Sequence, residues 1–282
     1  VSPSGFSGYS RGLYSNWFWH QSLQLVVDAG EGLPLALGTS VFAVAVIAIT
    51  HGHSDHLLGL PGFAGARRFG KGAPEKPYVV LYPRGASGVE TIRETIANLW
   101  RGVEFPIQWV PLAAGDAHRL SAKRVIEAFA VTHLSREPAF GYRVVESRRR
   151  LRPELADLPQ SEVERLARQR GRDHVMEEYA HVLFAHSGDA MPIEVAMTRH
   201  ADVLVHDATF LEPSDRREPI HASSREVFEV ARDASVRMLI LNHLSIRYDR
   251  SAAIATLKTQ LAASGFAGEC WLLDESSFVN LR

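Results

Sequence analysis

The chain has 282 residues, is 46% hydrophobic, and sets 31 Lys plus Arg against 32 Asp plus Glu. That is enough apolar material for one large core, and the near-neutral balance excludes a nucleic-acid binder working through bulk positive charge, leaving only local patches open. A lone cysteine, Cys270, excludes an internal disulfide framework, no run nears the ~18–20 apolar residues of a membrane span, and Val1–Tyr14 is rich in Gly and Ser without a signal-peptide core, so we expect a cytoplasmic protein with no membrane partner.

In chain order, Leu23–Val27 reads as a short strand ending in the turn Asp28-Ala29-Gly30-Glu31-Gly32, where Asp28 either backs a functional residue or only shapes the turn. The β-branched run Val41–Thr50 reads as a buried strand and stops at His51-Gly52-His53-Ser54-Asp55-His56. Three imidazoles and a carboxylate in so short a stretch are costly in a core but suit a divalent metal. In extended chain His51 and His53 share a face, whereas Asp55 and His56 follow the bend and can address a neighbouring position, so one segment could serve two metals. Gly59-Leu60-Pro61-Gly62 is expected to break any helix starting after His56, with a charged loop over Arg67–Pro77. Tyr78–Tyr82 follows as a strand. Ser87–Leu99 is an amphipathic helix with Val89, Ile92, Ile96 and Leu99 on one side. Ile107–Val110, Val125–Val131 and Gly141–Val145 are further strands, the second ending at Thr132-His133.

Ser147–Arg172 changes character, with many arginines interleaved with Glu154, Asp157, Glu162 and Glu164. It reads first as a charged helical insertion, extending to about residue 179, and second as an arm that tracks phosphates through Arg148, Arg149 and Arg150. His181–Ala185 then ends at Ser187-Gly188-Asp189, Val203–Val205 at His206-Asp207, and Met238–Leu241 at Asn242-His243. Ser223 and Glu226 have capping-box spacing just after His221. Ser251–Leu261 is a last helix and Trp271–Leu273 a closing strand. Loose alternation of strands and helices argues α/β layers in one domain over residues 1–282. An apolar strand followed by a metal-type ligand recurs at His51/His53, His133, Asp189, Asp207 and His243, and strand ends along one sheet edge converge. His20, His118, His174, His181 and His200 have no motif context, and His186 and His206 read as structural.

These residues resemble the metallo-β-lactamase-fold hydrolases, and specifically their ribonuclease Z-like branch. His51–His56 meets the pattern H-x-H-x-D-H in full. Gly59–Gly62, Phe140-Gly141-Tyr142-Arg143 after His133, Ser187-Gly188-Asp189, His206-Asp207-Ala208-Thr209-Phe210, His221-Ala222-Ser223-Ser224 and Asn242-His243-Leu244-Ser245-Ile246-Arg247-Tyr248 are similar to the branch's motifs, in the right order. The resemblance implies an αββα sandwich of two central mixed sheets flanked by helices. It implies two divalent ions, zinc first and manganese or iron as alternatives. One would sit on His51, His53 and His133, the other on Asp55, His56 and His243, with Asp189 shared. A metal-bridging hydroxide would attack phosphorus, Asp55 could take its proton, His221 would protonate the leaving group, and Asp207 would orient His221. The implied partners are a phosphodiester substrate, RNA included, and a second copy in a homodimer. Three departures stand out: Asp207 replaces the branch's Glu and is a methylene shorter, Ser147–Tyr179 lacks a Gly/Pro tip and looks helical rather than hairpin-like, and Val1–Leu13 lacks the usual opening strand. The competing readings are a lactonase or other carboxyl-ester hydrolase on the same metals, and a non-catalytic binding module keeping the fold.

Overall fold

The computed structural model describes residues 3–70, 76–133 and 136–282, so 71–75 of the expected charged loop lie outside the described residues. The first half of the chain builds one sheet in sequence order. Its strands are β1 (Phe6–Arg11), β2 (Ser15–His20), β3 (Leu25–Val27), β4 (Val46–Ala48), β5 (Tyr78–Pro83) and β6 (Ile107–Leu112). The first two pairings are antiparallel and the rest parallel. The second half builds the other sheet, again in sequence order: β7 (Ala117–Arg119), β8 (Arg124–Ala130), β9 (Phe140–Leu151), β10 (Met176–His186), β11 (Val203–Asp207), β12 (Met238–Asn242), β13 (Glu269–Asp274) and β14 (Ser277–Asn280). Here β10 to β13 are parallel neighbours and the outer pairings antiparallel.

Side-chain alternation sets the layers, because successive residues of a strand face opposite sides. Leu25 and Val27, Val46 and Ala48, and Leu81 face inward onto Val203 and Val205, Ile240, Trp271 and Leu273 of the other sheet. Their neighbours Val26, Ile47, Val80 and Tyr82 face outward onto α1 (Leu33–Leu37), α2 (Gly59–Phe69) and α3 (Ser87–Leu99) through Leu33, Leu60, Phe63, Val89 and Ile92. On the far side Leu204, Leu239, Leu241 and Leu272 meet Val227, Phe228, Leu257 and Leu261 of α7 (Ser224–Asp233) and α8 (Arg250–Ser264). The result is the expected αββα sandwich. Phe184, 0% exposed, stacks on Phe18 across the two sheets with ring centroids 5.7 Å apart. Phe184→Ala is expected to lower unfolding free energy by about 3–5 kcal/mol, read as a shift in the denaturant midpoint.

The structure corrects four expectations. The N-terminus does form an opening strand, in the hairpin of β1 and β2. Only Val46–Ala48 of the Val41–Thr50 run is strand, with a 3-10 segment over Gly38–Ala43. Gly59–Gly62 starts α2 instead of breaking it, because Pro61 lies in the first turn, where its missing N–H has no intrahelical partner to lose. The Arg-rich segment is not simply helical. β9 and β10 pair from Tyr142/His186 out to Leu151/Met176, whereas β8 accompanies β9 only to Glu146 and β11 accompanies β10 only from Phe184. A two-stranded ribbon therefore leaves the sheet, and the helical part, α4 (Gln160–Arg170) and α5 (Arg172–Val175), sits at its tip. The remaining helix α6 (Val195–Thr198) is a single turn between β10 and β11.

Candidate metal centre

The parallel strands β4, β10, β11 and β12 all end on one side, and the ligand-type residues follow their C-terminal ends, the usual place for a site in such sheets. His51 and His53 follow β4, Asp55 and His56 lie in the 3-10 turn Ser54–His56, and His133 follows β8. Asp189 follows β10, Asp207 ends β11, and His243 follows β12. Close backbone approach lets the turns nest: a Cβ on Gly59 would collide with the Gly30 carbonyl, and one on Gly88 with that of Gly52.

The structure brings these residues into one cluster. Ligand-capable atoms lie within 4.8 Å of one another in four overlapping groups: His51, His53 and His133; His51, His56 and Asp189; Asp55, His56 and His243; and Asp189, Asp207, His221 and His243. Asp189 Oδ2 is 3.2 Å from His243 Nε2, 3.4 Å from His56 Nε2 and 3.9 Å from His51 Nε2. Asp55 Oδ2 is 3.5 Å from His56 Nε2 and 3.9 Å from His243 Nε2. All are buried except His53 and His221, which are half-buried.

Behind them a second set of contacts decides which nitrogen points inward. The Thr50 hydroxyl donates to Asp28 Oδ2 at 2.9 Å, so toward His51 Nδ1, also 2.9 Å away, it can only accept. His51 Nδ1 then carries the proton. The Thr209 hydroxyl likewise donates to Asp207 Oδ1 at 2.6 Å and accepts from His243 Nδ1 at 2.8 Å. His56 Nδ1 donates to Asp28 Oδ2 at 2.7 Å, and His133 Nδ1 to the Ile220 carbonyl at 2.9 Å. With Nδ1 committed in this way, each of these four imidazoles turns Nε2 inward, and in its neutral form offers a lone pair there, the arrangement that orients metal-binding histidines elsewhere. His133 Nε2 is buried with no hydrogen-bond partner among the described residues. Lone pairs facing carboxylates repel unless a cation lies between them, so the donor set fits divalent metal.

The electrostatics carry the same mark. Burial pushes the Asp189 carboxyl up, but His243 and His56 outweigh it and hold Asp189 well below the carboxylate range. Burial opposes the charged form of His243, yet Asp189 and Asp55 raise it, a proton doing in the protein alone what a divalent cation would do on displacing it. Burial and the charge of His56 drive His51 well down.

His221 stands beside the cluster, its ring stacked on His243 at 5.0 Å. Its Nδ1 lies 2.6 Å from Asp207 Oδ2, so the backbone makes good the methylene that Asp207 lacks relative to Glu. Burial works against the His221 cation, but the charge and hydrogen bond of Asp207 overcome it and lift the imidazole to about 9. Asp207 is fully buried, with its other contacts from Thr209 and the Ala190 N–H. Arg148, Arg149 and Arg150 lie on the ribbon, each facing a carboxylate: Arg148 Nε is 2.7 Å from Glu146, Arg149 meets Asp173, and Arg150 Nε is 2.7 Å from Glu177. His186 and His206 are spent on backbone contacts, with Gly188 N–H and with the Asp207 carbonyl.

Two residues of the N-terminal hairpin escaped the sequence reading. Asn16 Nδ2 donates to Asp55 Oδ2 at 2.9 Å, and Ser10 Oγ accepts the His243 N–H at 2.7 Å while donating to Asn16 Oδ1 at 2.9 Å. That support matters because His243 is held at φ +62°, a left-handed backbone costing about 1–3 kcal/mol in a non-glycine residue.

Residues 24–167 match the family described as a beta-lactamase superfamily domain. The chain is 29% identical to ribonuclease Z of Metallosphaera sedula, over 100% of this chain and 98% of that one. It is 31% identical to ribonuclease Z of Gemmatimonas aurantiaca, over 85% and 82%. Among solved structures it is similar to the metallo-beta-lactamase fold protein YhfI of Bacillus subtilis (TM-score 0.65, 14% identity, 99% and 100% covered). It is also similar to the short form of human tRNase Z (TM-score 0.61, 21% identity, 86% and 93% covered). Kinship of this extent, on a fold that gathers the shared motif residues at one point, makes the chain a member of the ribonuclease Z family and a metal-dependent phosphodiesterase.

Proposed function

We propose that the chain is an RNA endonuclease of the tRNA 3′-processing kind, working with two zinc ions. The observation that carries this reading is the joint placement of the ligand cluster and the His221–Asp207 pair, 2.6 Å apart, on one face. His51, His53 and His133 would hold one ion, Asp55, His56 and His243 the other, and Asp189 would touch both. Imidazole and carboxylate donors suit zinc, with manganese and iron the alternatives. Ions so held supply Lewis-acid charge at a phosphoryl oxygen and make bound water more acidic. The chain's own residues do the rest. Asp55, steadied by Asn16, is the local proton acceptor. Asp207 holds Nδ1 of His221 and leaves Nε2–H free to protonate a departing ribose oxygen. A carboxyl-ester hydrolase has less use for that acid, which favours phosphodiester over lactone chemistry. The ribbon is an arm of the right kind to extend the contact with RNA, and the relatives named ribonuclease Z point the same way.

The test is to assay the metal-loaded protein on a precursor RNA with a 3′ trailer, on an aryl phosphodiester and on a lactone, alongside elemental analysis. Cleavage of the RNA with two zinc ions per chain supports the proposal. Turnover of the lactone alone refutes it. For the arm, changing Arg148, Arg149 and Arg150 together to Gln is expected to raise KM for the RNA about tenfold or less at ~0.1 M salt, since each arginine already has a carboxylate partner, and to leave the aryl phosphodiester unaffected. An equal loss on both substrates would remove the arm from RNA binding.

A further inference from the structure

Four exposed apolar residues lie close in sequence to the metal-type ligands or in the turn that touches His243. Leu13 and Tyr14, 81% and 56% exposed, form the turn between β1 and β2, Leu58 follows His56 by two residues, and Ile246 follows His243 by three. The turn rests on the centre itself: a Cβ on Gly12 would come within 3.1 Å of His243 Cε1. The strands on either side of the turn bind it too, β1 through Ser10 and β2 through Asn16. The Tyr14 ring is braced on one side. The Arg11 guanidinium lies 4.8 Å from its centroid, and Arg11 Nη1 is 2.6 Å from Glu275 Oε1. Glu275 in turn exchanges two 3.0 Å backbone hydrogen bonds with Ser10.

We propose that Tyr14 is the platform on which a nucleobase adjoining the scissile phosphodiester stacks, resting on the RNA reading above. Three observations converge on it. An exposed aromatic ring belongs to the turn whose Gly12 touches His243 of the cluster. On one face it is stacked by the Arg11 guanidinium, itself paired with Glu275, a cation–π contact that leaves the ring available to a base. The ring is pre-ordered by Arg11, Glu275 and the hairpin, so binding a base costs little further side-chain entropy. Every base has a π-face, so such a platform selects nucleic acid over small phosphodiesters without selecting sequence.

The experiment compares two RNAs that differ only in a single abasic nucleotide beside the cleavage site, on wild type, Tyr14→Ala and Tyr14→Phe. An aryl phosphodiester and metal content are measured in parallel. Wild type should cleave the complete RNA with kcat/KM about tenfold or more above the abasic one. Tyr14→Ala should cut both at the lower rate with unchanged metal content, and Tyr14→Phe should recover the ratio. A ratio that survives in Tyr14→Ala, or a ratio of one in wild type, overturns the platform while leaving the RNA reading intact. If wild type turns over the aryl phosphodiester but neither RNA, the RNA reading has failed and the platform falls with it.

Discussion

Asp189→Ala is expected to empty the metal centre and abolish RNA cleavage together. Asp189 is the carboxylate that reaches both halves of the cluster, with Oδ2 within 3.9 Å of His51 on one side and within 3.4 Å of His56 and His243 on the other. Losing a group that merely orients a ligand costs about 10–100-fold in metal affinity or activity, so losing Asp189, which in the proposed arrangement would serve two ions, should exceed about a hundredfold. The substitution also leaves three buried imidazoles facing each other with less counter-charge. Asp189→Asn, which keeps shape and polarity, is therefore run beside it, with elemental analysis, RNA cleavage and a denaturation midpoint on each. Loss of metal and activity in both variants with a native-like midpoint is the expected pattern. A variant that keeps both ions and full turnover would take Asp189 out of the centre.

What was legible beforehand follows from how local each signal is. The layers were readable because strands and helices alternate along the chain, and the αββα plan resembled a known family. The motif His51–His56 was readable because its donors sit in a single turn. Ser10, Asn16, Thr50 and Thr209 were not, because a serine or threonine says nothing until the fold brings a histidine to it; 233 positions separate Ser10 from His243. One clue existed for Asn16: it shares its side of β2 with the buried Phe18, in a strand otherwise dominated by Trp17, Phe18 and Trp19. Asp207 looked too short to reach His221, and spacing alone could not show that Phe210 bridges Ser223 and draws the His221 loop back over the end of β11. The ribbon misled for another reason. A two-stranded arm wetted on both sides needs no apolar alternation, and pairs such as Arg150–Glu177 across β9 and β10 stabilise it with the same charges that a solvated helix would carry.

His221→Ala separates the roles that remain open at this site. Asp207 cannot be removed cleanly, because Thr209 N–H, Thr209 Oγ1, Ala190 N–H and His221 all converge on its buried carboxylate, and its loss would leave buried donors without an acceptor. His221 is more peripheral. If its Nε2–H protonates the leaving ribose oxygen, the alanine variant should lose about 10²–10⁴-fold in kcat on RNA, the usual worth of a positioned acid. A nitrophenyl phosphodiester is the control, since nitrophenolate departs without a proton, and its turnover should fall less than about tenfold. The two substrates should therefore diverge by an order of magnitude or more in one variant with unchanged metal content. The cluster geometry also allows a different outcome, because a His221 nitrogen lies within 4.8 Å of ligand atoms on Asp189, Asp207 and His243. Were His221 a metal ligand, both substrates would fall by a similar factor and the metal content would drop with them.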